Sequence, residues 1–253
     1  MPLVSTPAII LSTLRYGETS KIVRLATRDY GVQSAIAKGA LRPRSRFGAA
    51  LQVLSGGQAQ LLWSERRDLH TLTAFDIATL PVGLTEDVAR YATGTALAEV
   101  MIRVAPAEPH PEAYQLLEQA LSELVLTPVA GLPALSLNVI WRLVAALGFA
   151  PALAACARDG RPLAEGELSF SAPEGGALCA VCARGSEATV LPADARRALE
   201  QLTCESGGAL PTLDAKHAAA HRRLLSRYIR YHLAEGAALP ALEFWQAGAW
   251  IAA

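Results

Sequence analysis

Along the first eighty residues apolar and polar positions alternate in short runs; beyond them apolar residues recur every three or four positions. The first period is that of strands and the second that of helices. Ala8–Leu14 reads as a strand ending at the turn Tyr16-Gly17-Glu18, and Ser20–Thr27 and Val32–Lys38 flank Asp29-Tyr30-Gly31 as a hairpin. Leu51–Leu54 and Gln58–Trp63 read as one further strand bent at Gly56-Gly57, and Leu69–Phe75 as the last. From Pro81 the pattern turns helical. A helix starts at Thr85-Glu86-Asp87, with a hydroxyl cap and two acids at the positive end of its dipole, and runs to about Val104. After Pro106, Pro109 and Pro111, a second helix spans 112–126, and a third, largely apolar one spans 133–147, stopped by Gly148-Phe149-Ala150-Pro151. Arg142 is its one cation, placed either to snorkel to the surface or to receive a partner's carboxylate. A last long helix covers about 212–234, and the tail carrying Phe244-Trp245 reads as a docking strand or a loose end.

Five short strands with little helix between them predict a small barrel of the oligonucleotide-binding (OB) kind. The fold class is therefore α+β multidomain: an OB barrel over 1–80, a helical domain over 81–151 and 192–240, a knuckle-like insert over 152–191 and a tail over 241–253. The insert carries Cys179-Ala180-Val181-Cys182, whose two-residue spacer lets two thiolates converge on one zinc, with Cys156 upstream. Where the partner of Cys156 would fall stands Asp159. The spacing leaves two readings, a site of three Cys plus Asp159 or a relic without metal. Cys204 reads as a small buried hydrophobe.

Net charge is zero, but residues 1–80 carry ten Lys and Arg against five Asp and Glu, 81–182 five against eleven, and 183–232 eight against five. Basic ends around an acidic middle suit a polyanion, because the local field steers binding. The densest basic run is Lys38-Gly39-Ala40-Leu41-Arg42-Pro43-Arg44-Ser45-Arg46-Phe47-Gly48. Gly39 and Pro43 preclude a long helix, and Arg42, Arg44 and Arg46 at every second position would share one side of an extended segment. Such a run reads either as a contact to a nucleic-acid backbone, with Phe47 as a base-stacking surface, or as a solvated surface loop. On the last long helix, Lys216, Arg223, Arg227 and Arg230 form a cationic stripe opposite Leu224, Leu225, Tyr228, Ile229 and His232, which with His221 fall on the apolar side.

No phosphate loop, dinucleotide fingerprint, zinc-protease helix or nucleophile elbow is present, so the reading is a non-enzyme. Asp76, Glu86 and Asp87 keep a metal-dependent DNA-processing enzyme as one alternative, and a peptide-binding adaptor is the other. No run of eighteen uncharged apolar residues and no secretory start is seen, which predicts a cytoplasmic protein with no membrane partner.

The run from Ala37-Lys38-Gly39-Ala40 through Arg42-Pro43-Arg44-Ser45-Arg46-Phe47-Gly48-Ala49-Ala50-Leu51-Gln52 resembles the bacterial DNA repair family RecO. So do Leu147-Gly148-Phe149-Ala150-Pro151 before Cys156, and the late Arg222-Arg223-Leu224-Leu225 and Tyr231-His232-Leu233. Asp159 departs from the Cys of zinc-binding members. The resemblance implies a nucleoid-associated recombination mediator of the RecF pathway. Such a protein binds single- and double-stranded DNA, anneals complementary strands, contacts the acidic tail of single-stranded DNA-binding protein, and helps RecR load RecA. It implies no required cofactor beyond an optional structural zinc at Cys156, Cys179 and Cys182. It also implies Lys21, Arg24, Lys38, Arg42, Arg44, Arg46 and Phe47 as DNA contacts, and Arg142, Arg223 and Arg227 as the partner-peptide site.

Overall fold

A computed structural model describes residues 2–248 apart from 49, 65–67, 106, 205–207 and 235, so the expectations for Ala49, Pro106 and 249–253 lie outside the described residues. The chain divides into two compact units, Met1–Val125 and Leu126–Ala253.

In the first unit, β1 (Leu3–Tyr16), β2 (Ser20–Thr27), β3 (Gly31–Ala37), β4 (Gly56–Leu62) and β5 (Leu69–Thr79) close into a barrel in the order β1-β2-β3-β5-β4. All pairings are antiparallel except β3 with β5. Alternate residues of each strand enter the interior, so that Ala8, Ile10, Val23, Leu25, Ala35, Ala37, Ala59, Leu61, Leu72 and Phe75 form one core. Strand β4 begins at Gly56, and residues 51–54, expected as strand, form a turn instead. Leu51 and Leu54 are still buried, so their apolar pattern reports burial rather than pairing. A Cβ on Gly57 would lie 2.2 Å from the Asp76 carbonyl oxygen, so only glycine lets β4 approach β5 there.

Three helices complete this unit: α1 (Val82–Thr85), α2 (Val88–Val104) and α3 (Pro111–Leu126). The long helix is capped by Asp87, whose Oδ1 accepts from the Arg90 N–H at 3.0 Å. Thr85, expected as the cap, instead donates its hydroxyl to the Val82 carbonyl and ends α1. Both residues are good caps in sequence, and the extra turn at Val82–Thr85 leaves the role to Asp87.

The second unit holds a 3₁₀ turn (Val129–Gly131), α4 (Leu132–Val144), a π turn (Ala145–Phe149), β6 (Leu168–Ser171), β7 (Gly176–Leu178), β8 (Thr189–Leu191), α5 (Ala193–Thr203), α6 (Ala215–Leu233) and α7 (Pro240–Ala247). Gly148, at φ 92°, ends the first helical run. Residues Val129–Phe149 are long and apolar enough to cross a bilayer by length and composition, but 67% of their apolar window is buried, and α4 is the central core helix. It packs on α5 and α6, with Trp141 and Phe170 at 5.2 and 5.9 Å from the Tyr228 ring. The tail is neither strand nor loose end: Pro240 starts α7, which buries Leu242 and Trp245 against α6 and leaves Phe244 outside. Cys204 is exposed rather than buried, because it follows the last turn of α5 and its thiol donates to the Glu200 carbonyl.

Candidate nucleic-acid interface and metal centre

Residues 38–48 are a chain of tight turns and not an extended segment. Arg42, Ser45 and Gly48 donate their N–H groups to the carbonyls of Gly39, Arg42 and Ser45. Alternation along an extended strand therefore does not place the three arginines. What places them is anchoring at two points: the Leu41 N–H bonds to the Thr19 carbonyl, and Phe47 is buried to 3% exposure within the barrel core. Phe47 does not stack on a base, because its ring is spent inside the barrel; the Arg46 guanidinium lies 5.3 Å above it. Lys38, Arg42, Arg44 and Arg46 are exposed, and the three arginines have no acidic partner among the described residues.

Lys21 and Arg24 lie on different faces of β2. Val23 and Leu25 are core residues, so Lys21 shares the inward phase at the barrel's end and donates to the Leu51 carbonyl at 3.4 Å. Because Lys21 pairs with Ala37, it stands beside the start of the basic loop. Arg24 projects from the outer wall, half-buried. Its pKa is lowered first by burial and then by the charge of Arg103.

In the second unit the knuckle closes on itself. One ligand atom from each of Cys156, Asp159, Cys179 and Cys182 lies within 4.8 Å of the other three. Asp159 Oδ1 accepts the Arg161 N–H at 3.1 Å, which leaves Oδ2 to face the thiols of Cys182 and Cys179 at 3.2 and 3.6 Å. A tetrahedral zinc ion with its usual bond lengths sets sulfur and oxygen ligands about 3.5 Å apart, so the donor set fits one ion. The Cys182 N–H points at the Cys179 sulfur, as a knuckle requires. Burial works to raise the Cys156 thiol, but backbone N–H groups of Cys179, Asp159 and Arg158 directed at its sulfur leave its pKa lowered. The Cys156 thiol, the Arg161 N–H and the Cys182 thiol pull the Asp159 carboxyl down to about 2, and the same carboxylate pushes Cys182 up to about 12. Without metal the carboxylate thus accepts thiol protons that an ion would displace.

The stripe on α6 faces a groove of about 510 Å³. Lys216, Arg223 and Arg227 line it together with Leu224, and Phe170, Val190 and Leu191 supply an apolar side. Arg230 turns instead to Gln246 and Glu243 on α7. Arg227 meets Glu187 at 3.1 Å, an exposed pair worth little in water. Arg142 does not join this site. It is 8% exposed in the last turn of α4, so it does not snorkel, and it is not among the groove's lining residues. His221 is buried, and the His232 ring bonds the Ala172 carbonyl at 2.7 Å; both are structural.

Comparison with known proteins fits this architecture. Residues 1–80 match the family model described as "Recombination protein O N terminal", and residues 85–239 match "Recombination protein O C terminal". The chain belongs to the RecO family. Curated members named DNA repair protein RecO include that of Anaeromyxobacter dehalogenans strain 2CP-C, 34% identical over 92% of both chains. Those of Nocardioides sp. strain JS614 and Streptomyces coelicolor are 33% and 32% identical, over 90% and 93% of this chain and 94% and 96% of theirs. As a RecO-family member the chain is a DNA repair and recombination protein and not an enzyme. Its barrel is the family's OB fold, and the helical region follows it.

Sequence reasoning missed Arg158 and Arg161 at the knuckle. Arg158 bridges the Cys182 carbonyl and Glu174 Oε1, and Arg161 fixes Asp159 through both its N–H and its Nε. Their only signal was adjacency to Asp159, since Glu174 and Cys182 come close only through the β6–β7 hairpin.

Proposed function

We propose that the chain binds single- and double-stranded DNA through the basic end of its barrel and acts as a recombination mediator. Lys21, Lys38, Arg42, Arg44 and Arg46 hold backbone phosphates. The observation that carries this reading is a set of three exposed arginines without acidic partners among the described residues, held on turns that Phe47 and Leu41 pin to the barrel. Like charges so placed repel unless solvent or a polyanion receives them. Annealing follows when one basic surface neutralises two repelling backbones and leaves the bases free to pair. On this reading the groove at Arg223 and Arg227 takes the acidic, apolar-ended tail of single-stranded DNA-binding protein, with charge along α6 and apolar contacts at Phe170 and Leu191. The protein then works with RecR to load RecA. The test is annealing of complementary oligonucleotides, naked and coated by single-stranded DNA-binding protein. The wild-type chain accelerates both reactions, and Arg223→Glu with Arg227→Glu abolishes only the second. No acceleration of naked strands would refute the DNA-binding reading, and loss of neither reaction would refute the groove.

The knuckle's part is structural, with zinc held by the three thiolates and Asp159 Oδ2 and serving to tie the segment 156–182 together. Purified chain is expected to carry one zinc per molecule. Asp159→Ala weakens its affinity by more than about tenfold, whereas Asp159→Cys keeps it. Cobalt substitution, which shows tetrahedral thiolate coordination by absorbance, checks both; full metal content in Asp159→Ala would remove the carboxylate from the ligand set.

A further inference from the structure

Side chains four residues apart on a helix are neighbours, with Cβ atoms about 5 to 6 Å apart, and like charges so placed repel. Arg223 and Arg227 of α6 are such a pair; both are exposed and both line the groove. Their surroundings differ. Arg223 has no carboxylate partner among the described residues, whereas Arg227 Nη2 lies 3.1 Å from Glu187 Oε2.

Glu187 reaches Arg227 from the connector between Cys182 and β8. That connector is held by its own turns: the Ala183 N–H donates to the Cys179 carbonyl at 2.9 Å, and the Ser186 N–H and hydroxyl both donate to the Ala183 carbonyl, at 3.2 and 2.8 Å. Fixing Ser186 presents the next residue at the rim of the groove, just ahead of Thr189, Val190 and Leu191, which wall it. The Glu187 side chain is 79% exposed and that of Arg227 52%, so their pair is worth little in water and exchanges readily. The acid in the groove's own lining is Asp194, and it is engaged elsewhere. Its Oδ1 accepts the Ala195 N–H at 2.9 Å and its Oδ2 lies 3.8 Å from His217 Nε2, about 15 Å before Arg227 along the axis of α6.

We infer, on the reading that this groove takes an acidic, apolar-ended peptide, that Glu187 is its internal competitor and occupies on Arg227 the place of a ligand carboxylate. A ligand with one carboxylate settles on Arg223 and leaves the Glu187–Arg227 pair closed. A ligand with neighbouring carboxylates spans both guanidiniums, and its second carboxylate displaces Glu187 into water. Binding at Arg227 is thus an exchange of one carboxylate for another, and Glu187 sets its cost.

The experiment titrates a labelled synthetic peptide, two adjacent aspartates ahead of an apolar carboxy-terminal residue, by fluorescence anisotropy. It compares the full wild-type chain with Glu187→Gln, Arg227→Gln and the double variant, and records the melting temperature of each. Glu187→Gln keeps the shape of the side chain and removes its charge. It is expected to tighten binding about threefold, the worth of an exposed ion pair, with an unchanged melting temperature. Arg227→Gln weakens binding, and adding Glu187→Gln to it changes nothing further, because the competitor has lost its seat. Unchanged or weaker binding in Glu187→Gln would overturn the inference, since a residue that only shaped the connector lowers affinity when altered. Equal tightening in the wild-type and Arg227→Gln backgrounds would also overturn it, as the general effect of removing one acid. Absence of saturable peptide binding in both the wild type and Glu187→Gln would refute the groove itself, a result distinct from binding that Glu187→Gln leaves unaltered.

Discussion

Replacing Arg42, Arg44 and Arg46 together by Ala is expected to lower affinity for DNA and to flatten its salt dependence by roughly two to three, because each phosphate contact contributes about 0.7 to 0.9 to the slope of log affinity against log salt. The three side chains are exposed and have no acidic partner among the described residues, so on the proposed reading their loss removes contacts to DNA and few within the protein. The loop's hydrogen bonds run between backbone groups, and its apolar anchor is Phe47; neither involves the guanidinium groups apart from the contact of Arg46 with the Phe47 ring. The melting temperature is therefore expected to stay within a degree or two of wild type. Anisotropy titrations at several salt concentrations, with thermal denaturation alongside, check both parts. An unchanged slope would show that DNA does not touch these turns.

Phe47→Ala has the opposite profile. Removing a ring that is almost wholly enclosed in the barrel leaves a cavity among Leu51, Ala50 and the strand residues, and such truncations cost about 3 to 5 kcal/mol. The barrel loses stability and the basic turns lose one of their two anchors, so DNA affinity falls together with the denaturation midpoint. Phe47→Leu, which keeps most of the buried volume, retains both. If Phe47 served as a stacking surface, its alanine variant would lose DNA affinity with stability unchanged. Urea denaturation of the two variants separates these outcomes.

The two variants show where reading along the chain succeeds and where it stops. Arg42, Arg44 and Arg46 were legible because exposed cations need no tertiary partner, so their density alone marks a basic surface. Phe47 was ambiguous because an aromatic beside arginines has the same letters whether its ring points to solvent or to a core. The two are separated by the turn Ser45–Gly48, which swings the ring inward, and that turn is set by hydrogen bonds among backbone groups. Leu51–Leu54 show the same limit, since apolar residues in a buried turn and in a strand look alike.

The knuckle divides in a similar way. The Cys179–Cys182 spacing announced a ligand pair, but whether Asp159 completed it depended on where its carboxylate pointed. Only the folded loop puts Oδ1 on the Arg161 N–H and turns Oδ2 to the sulfurs. The groove along α6 shows the reverse, because helical spacing found Lys216, Arg223 and Arg227 but gave no sign that Arg142 would be absent. Periodicity relates positions on one helix and says nothing about which helix faces which.

What could be read from the letters was what local physics dictates: strand and helix periods, the five-stranded barrel, the charged ends and the knuckle spacing. Those depend on neighbours a few residues apart. The closure of β3 against β5, the burial of Phe47 and the orientation of Asp159 join residues far apart in the chain. They arise only when the apolar faces of distant elements pack together, and that packing fixes which polar groups are left pointing at each other.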